Sequence, residues 1–152
     1  MEDHVVKIYR CAKVVKGGRR FRFGALVIVG DRRGHIGIGY GKANEVPAAV
    51  DKGVKNAKKK ILEIVLKGNT IPHYVEANYG ASKVVLVPAS EGTGVIAGTH
   101  LRPLLELAGI RDVLTKAHGS SNPKNLVQAG LKALLSLRSA ETIARLRGVQ
   151  LA

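Results

Sequence analysis

The chain has 152 residues, and its 25 Lys and Arg against 11 Asp and Glu give a formal net charge of +14 at pH 7. Hydrophobic residues make up 45% of the composition, which excludes a disordered basic tail and allows one globular domain or two small ones. No apolar run approaches the roughly 20 residues of a membrane-spanning helix, so no such helix is expected. The charge predicts a polyanionic partner.

Residues suited to metal binding or catalysis are sparse. The single cysteine, Cys11, excludes a disulfide framework and suits a reducing compartment. The acidic start at residues 1–4 lacks an apolar segment, so we expect no secretory signal. The five histidines show no ligand spacing, and the carboxylates are scattered. We therefore expect no metal site and no acid–base chemistry by a pair of carboxylates.

Three strand-like segments come first in the chain, at residues 5–15, 19–29 and 35–40. Alternation and β-branched residues mark them, and the turn signals Lys16-Gly17-Gly18 and 30–34 separate them. They predict an antiparallel meander of three strands.

A helix is predicted after the third strand. Asn44 or Glu45 can cap it, and Pro47 fits its first turn. Apolar residues recur at helical spacing from Val46 to Val65. A second, cationic stripe on this helix contains Lys52, Lys55 and Lys59. Residues 5–67 are thus predicted to follow the order β-β-β-α.

The second half reads as β-β-α-β-α-α. Its predicted elements are a hairpin of residues 74–79 and 83–87, a helix at 95–107, a strand at 112–117, a helix at 123–137 and a final helix capped by Ser139, with Ile143 and Leu146 on its buried side.

The charge divides unequally along the chain. Residues 1–68 carry 16 Lys and Arg against 6 Asp and Glu, whereas residues 69–152 carry 9 against 5. Gly, Asn and Pro cluster between them at residues 67–72, which is typical of a linker. We predict two domains, 1–68 and 69–152, with the polyanion surface on the first.

Two glycine-rich segments invite a nucleotide-binding interpretation. Glycines 34, 37, 39 and 41 precede Lys42, but the Walker pattern fails because Ile36 and Ala43 occupy required positions. These glycines instead predict a bent strand that something outside the protein can approach closely. Residues 92–97 match GxGxxA, with Asp112 downstream, although no second βαβ unit completes a dinucleotide fold. A small nucleotide-dependent enzyme, a macromolecular contact and a structural turn all remain open there.

Basic residues carry the stronger signal. A meander followed by one helix is expected to bring its turns and the helix start together, where arginines can bind phosphates. With 4% aromatic residues, stacking on single strands is not the expected mode, and structured or double-stranded RNA fits better. A free-standing double-stranded-RNA-binding module is the alternative. The candidate set is Arg10, Lys13, Lys16, Gly17, Gly18, Arg19, Arg20, Arg22, Arg32, Arg33, Lys42, Lys52, Lys55 and Lys59.

Specific motifs in both halves resemble bacterial small-subunit ribosomal protein five. They are Lys16-Gly17-Gly18-Arg19 with Phe21 and Phe23, Gly39-Tyr40-Gly41-Lys42-Ala43, Pro88-Ala89-Ser90-Glu91-Gly92-Thr93-Gly94, and Gly119-Ser120 with Asn122-Pro123. The resemblance implies an α+β fold in which a β-β-β-α domain similar to a double-stranded-RNA-binding domain precedes a β-β-α-β-α domain with a left-handed βαβ crossover.

The resemblance also implies a non-enzymatic function without cofactor or small-molecule substrate. It implies binding to small-subunit rRNA through residues 11–22, contact with ribosomal proteins four and eight, a place near the region where mRNA enters, and a role in head–body arrangement and decoding accuracy. The expected location is the cytoplasm, with a plastid not excluded. The implied protein contacts are Gly94, Thr99, His100 and Arg102.

Overall fold

The computed structural model describes residues 1–150, which form two four-stranded sheets and four helices. In the first half these are β1 (Glu2–Val15), β2 (Gly18–Gly30), β3 (His35–Ala43), α1 (Val46–Lys59) and β4 (Leu62–Glu63). In the second half they are β5 (Val75–Tyr79), β6 (Ser82–Pro88), β7 (Val95–Ile96), α2 (Arg102–Ala108), β8 (Val113–Gly119), α3 (Pro123–Leu135) and α4 (Ala140–Arg147).

The first sheet has the order β1-β2-β3-β4 and is antiparallel throughout, which confirms the predicted meander. Lys16 and Gly17 form the two-residue turn between β1 and β2, with Gly17 at φ +95°. Pairing between β2 and β3 begins only at Phe23 and Ala43. The hairpin of β1 and β2 therefore continues beyond β3 as a two-stranded ribbon, which we define as residues 10–22.

The glycines of β3 face the protein's own helix α1. A Cβ on Gly37, Gly39 or Gly41 would collide with the α1 backbone at Ala57, Gly53 or Ala49, respectively. The prediction that these glycines admit something from outside is therefore wrong. They allow the helix to lie directly on the sheet, over a small core of Ala25, Val27, Val29, Ala43, Ala49 and Ala57.

Helix α1 ends earlier than its apolar stripe predicts. Glu45 is the N-cap and Pro47 lies in the first turn, as expected, but the helix stops at Lys59. Leu62 and Glu63 then pair with Ile36 and His35 as the strand β4. Periodicity alone placed residues 61–65 in the helix, and pairing with a strand distant in sequence overrides it.

The second sheet has the order β5-β6-β8-β7. The predicted hairpin is confirmed, with β5 and β6 paired antiparallel from Val75–Leu86 to Tyr79–Ser82. The short strand β7 runs parallel to β8, and α2 connects the two. This β7-α2-β8 unit is the βαβ crossover within the α+β fold.

Two predicted helices differ from the structure. The segment after Gly94 enters the strand β7 rather than a helix, and α2 begins only at Arg102. The Ser139 cap of α4 is confirmed, because its hydroxyl accepts the Thr142 N–H at 3.1 Å. The side chain of Leu146, however, is 63% exposed instead of buried.

The two sheets share one core. Alternate residues of the first sheet, Leu26, Ile28, Ile36 and Ile38, point away from α1 and pack in one cluster with residues of α2 and α3 such as Leu104 and Leu134. Backbone bonds reinforce this contact, since the N–H groups of Arg32 and Gly34 donate to Leu107 and Ala108 at 2.9 and 3.0 Å. The first sheet is thus covered on both faces.

Candidate nucleic-acid interface

Strand register gives the ribbon two different faces. Cross-strand partners share a face, so Cys11 with Arg22 and Lys13 with Arg20 lie on one side. Arg10, Ala12, Val14, Arg19 and Phe21 lie on the other. One side is therefore mainly cationic, and the other mixes two arginines with exposed apolar residues.

The mixed face has a defined internal contact. The Arg10 guanidinium carbon lies 4.6 Å from the centroid of the Phe21 ring, within the range of a cation–π interaction. Phe21 stays 42% exposed and Val14 79% exposed. Because these apolar surfaces lack cover within residues 1–150, this face is suited to a partner.

The ribbon carries uncompensated charge. It contains six Lys and Arg and no Asp or Glu. The ion pairs within residues 1–150 are Arg32–Glu2 and Lys83–Glu76, and neither these nor the His35–Asp31 contact involves the ribbon. These unpaired cationic side chains repel one another and attract a polyanion.

Only part of the predicted basic set comes together. Lys42 precedes the end of β3 beside the ribbon, and Lys52 donates from its Nζ to the Lys42 carbonyl at 3.2 Å. Lys55 and Lys59 follow along the exposed side of α1. Lys42 and Lys52 thus lie near the base of the ribbon, whereas Lys59 lies toward the opposite end of β3, because Ala57 packs over Gly37.

The second turn lies at the opposite end of the sheet, so the prediction that both turns meet is wrong. Successive turns of an antiparallel meander alternate between ends, and β2 separates them by about 40 Å at ~3.3 Å per residue. Arg32 donates from Nε to Glu2 at 2.9 Å. The backbone of this turn packs against the end of α2, because a Cβ on Gly109 would collide with the Arg32 carbonyl. Arg32 and Arg33 are therefore remote from the ribbon.

An acid–histidine contact holds this second turn. The Asp31 carboxylate accepts the Arg33 N–H at 2.8 Å and the His35 N–H at 3.2 Å, and it lies 2.8 Å from His35 Nδ1. Although partial burial acts to raise the pKa of Asp31, these hydrogen bonds outweigh it and lower the pKa below 3.8. The carboxylate is thus a structural part of the turn.

The GxGxxA segment forms a loop held by a buried acid. Asp112, only 5% exposed, accepts the Gly94 N–H at 3.0 Å, and the Thr93 hydroxyl donates to the Ser90 carbonyl at 2.7 Å. The helix α2 starts only at Arg102, well beyond Gly94, so the loop does not present a helix N-terminus to a phosphate. This geometry disfavours a nucleotide site there.

The predicted protein-contact residues lie in the segment from the loop before β7 to the first residue of α2. Thr99 and Arg102 are exposed and His100 is half-buried, while Gly94 precedes β7. Arg102 donates weakly from Nη2 to the Ala97 carbonyl at 3.4 Å. Of the four predicted contacts, Thr99 and Arg102 are therefore the two whose side chains are open to a partner.

A cluster that joins the two sheets was missed from the sequence. Lys124 of α3 places its Nζ 3.7 Å from the ring centroid of Tyr40 and 5.1 Å from that of Tyr9. Lys7 lies 5.3 Å from the Tyr9 centroid and Lys42 5.9 Å from that of Tyr40. Burial, with the nearby Tyr40, raises the pKa of Tyr9. Contacts between residues so far apart in sequence carry no local signal.

Metal-binding clusters and membrane-spanning helices are absent from the described residues. No group of three or more His, Cys, Asp or Glu within residues 1–150 has the geometry to hold a metal ion. No helix within them is long and apolar enough to cross a membrane.

The fold and the basic ribbon define an α+β protein of the RNA-binding class. The family model "Ribosomal protein S5, N-terminal domain" matches residues 1–65, and "Ribosomal protein S5, C-terminal domain" matches residues 77–147. The chain is 60% identical over 137 residues to the small ribosomal subunit protein uS5 of Campylobacter jejuni strains 81-176 and RM1221, covering 90% of this chain and 93% of each relative. The chain belongs to the ribosomal protein S5 family, whose members are structural and not enzymatic.

Proposed function

We propose that this chain is a structural constituent of the small ribosomal subunit and anchors small-subunit rRNA through the ribbon. In this proposal the second half contacts ribosomal proteins four and eight near the region where mRNA enters. The protein thereby stabilises the head–body arrangement of the subunit and contributes to translational accuracy in the cytoplasm. The proposed division lies at residues 1–68 and 69–152.

The ribbon is the observation that carries the proposal. Its arginines and lysines stand on two extended strands and the turn between them, with no carboxylate among them, beyond the support of β3. Arginine forks can bind phosphate oxygens in pairs, and Gly17 and Gly18 keep the tip narrow enough to enter a groove or a junction in folded RNA. Lys42, Lys52, Lys55 and Lys59 extend the proposed phosphate contacts onto the body.

The test is charge reversal on the ribbon. The triple variant Arg19→Glu, Arg20→Glu, Arg22→Glu is expected to weaken binding to small-subunit rRNA. The dependence of log K on log salt should also flatten by about 0.7–0.9 for each phosphate that the variant no longer neutralises. A charge-matched control reverses Arg138, Arg145 and Arg147, three exposed residues of the C-terminal region. Equal affinity of parent and ribbon variant across the salt series would contradict the proposal.

Arg32 and Arg33 remain candidates for a second, separate rRNA contact. They lie at the far end of the sheet from the ribbon tip, about 40 Å away at the ~3.3 Å rise per residue of β2. A single RNA element would have to span that distance to contact both. Arg33 is exposed and lacks an ion pair within residues 1–150. The variant Arg33→Glu should therefore add its effect on the salt dependence independently of the ribbon.

Co-sedimentation with small ribosomal subunits distinguishes this proposal from the alternative of a free-standing RNA-binding module. We expect the parent chain to sediment with small subunits and leave no free pool at stoichiometric concentration. A stable pool outside the particle would favour the independent module instead.

A further inference from the structure

A groove of about 300 Å³ lies where the two sheets meet. It follows the edge of β3 and is bounded by the end of α1 and the first turns of α3. Its polar and aromatic lining consists of Tyr40, Lys60, Tyr79, Lys124, Asn125 and Gln128. Its volume lies at the lower end of the range for pockets that hold small ligands.

The groove is electropositive. Lys60 and Lys124 line it, no Asp or Glu does, and neither lysine takes part in an ion pair within residues 1–150. Lys124 sits on the Tyr40 ring, with Lys42 behind that ring at 5.9 Å from its centroid. An anion in the groove would relieve the mutual repulsion of these ammonium groups.

The remaining lining offers hydrogen bonds and a stacking surface. The side-chain amides of Asn125 and Gln128 make no hydrogen bond with another residue of the described part of the chain. Each amide offers donors and an acceptor, which is what recognition of a base edge or a 2′-hydroxyl requires. Across the groove, Tyr79 is 46% exposed, and an exposed aromatic ring can stack on a base.

The groove continues the charged face of the ribbon. Every second residue of β1 lies on the same face, which places Tyr9, Cys11 and Lys13 together. Their β2 partners on that face include Arg20 and Arg22. The same side leads to Tyr40 and Lys124 at the groove. A strand of RNA bound along this side of the ribbon would arrive at the groove.

We propose that this groove binds one unstacked nucleotide of the rRNA, with its phosphate at Lys60 and Lys124 and its base on Tyr79 beside the two amides. The proposal rests on rRNA binding by the ribbon and adds a base contact formed by both halves of the chain. It differs from the phosphate contacts of the ribbon because it requires an extruded base.

The experiment compares rRNA affinity and salt dependence of matched variants. The double variant Lys60→Gln, Lys124→Gln should reduce the slope of log K against log salt by about one per lysine. Tyr79→Ala should weaken binding about tenfold with an unchanged slope, because a stacking contact releases no counterion. Lys132→Gln on the same helix and Tyr74→Ala, an exposed tyrosine outside the groove, should both behave like the parent.

Several results would overturn the proposal. Parent-like binding by the groove variants, while ribbon charge reversal weakens binding, would reject the groove and leave the proposed function intact. Parent-like binding by both sets would reject both. If the lysine double variant has a lower melting temperature but unchanged rRNA affinity, Lys124 only stabilises the contact between the two sheets.

Two further arms identify other occupants. If the groove variants bind rRNA with the affinity of the parent but are incorporated poorly into reconstituted subunits, the groove binds a neighbouring protein instead. Saturable micromolar binding of free nucleoside monophosphates in a calorimeter would assign it to a free nucleotide. Either result contradicts an rRNA nucleotide in the groove.

Discussion

The carboxylate of Asp112 accepts a hydrogen bond from the backbone N–H of Gly94 at 3.0 Å, and this contact ties the loop before β7 to the start of β8. Asp112 is nearly fully buried, and its own N–H donates to the Asn69 carbonyl at 3.0 Å. The residue therefore positions the loop that carries the proposed protein contact.

Removal of this acceptor should be costly. We expect Asp112→Ala to lower the free energy of unfolding by about 1–3 kcal/mol, because a buried N–H loses its partner. Asp112→Asn keeps an acceptor oxygen and should recover most of the loss. Urea unfolding of the three proteins measures the difference, and equal midpoints for Ala and the parent would contradict the role of Asp112.

Gly39→Ala tests the close contact between β3 and α1. The added Cβ would lie 2.9 Å from the Ala57 Cβ and closer still to the α1 backbone. We expect a loss of about 1–3 kcal/mol or more, because the helix must move off the sheet. Gly98→Ala is the control, since its Cβ meets nothing within 4 Å and should change stability by less than about 0.5 kcal/mol.

Tyr9→Phe should be neutral or stabilising by about 1 kcal/mol. The Tyr9 hydroxyl is buried and has no hydrogen-bond partner within the described chain, so its removal abolishes an unsatisfied group. Tyr74→Phe is a useful comparison, because that hydroxyl donates to Glu76 at 2.9 Å on the surface. A clear loss of thermal stability in Tyr9→Phe would show that the hydroxyl has a partner in solution.

The lowered pKa of Asp31 predicts a pH-dependent contribution to stability. A carboxyl whose pKa is lower in the folded chain stabilises it above the unfolded value, and the contribution disappears as pH falls through the folded pKa. The stability difference between parent and Asp31→Asn should therefore be full at neutral pH and shrink below pH 3.8. Urea titrations from pH 7 to acid provide the measurement.

Gly94→Arg should alter misreading in a reporter assay while rRNA affinity is largely kept. Gly94 has φ +79°, and no atom lies within 4 Å of an added Cβ, so a long side chain would extend away from the chain at the position of the proposed protein contact. Gly94→Ala carries the same backbone strain, about 1 kcal/mol, without the cation. If both variants misread equally, strain and not the side chain is responsible.

Local patterns in the sequence were sufficient for the strands of the first sheet and for the caps of α1 and α4. Alternation at Phe21 and Phe23 and the helical spacing after Val46 are local signals, and the structure follows them. The end of α1 and the strand β7 depend on pairing with β3 and β8, which are distant in sequence. Periodicity carries no information on such partners.

The sequence predicted which basic residues belong to the candidate interface but not how they are arranged in space. The six ribbon cations were found from charge and turn signals, but their separation from Arg32 follows from sheet geometry. In the cluster of Lys124 with Tyr40 and Tyr9, the tyrosines lie 84 and 115 positions from the lysine. No pattern local to any of the three residues predicts such a contact.

The two-sided cover of the first sheet has a consequence for how the chain is made. Leu26, Ile28, Ile36 and Ile38 are synthesised well before α2 and α3, which cover them in the finished protein. While residues 101–134 are still being translated, this apolar row stands open on a nascent chain that carries a strongly basic hairpin. Exposed apolar surface of this kind promotes aggregation of partly folded chains, and completion of α2 and α3 covers it.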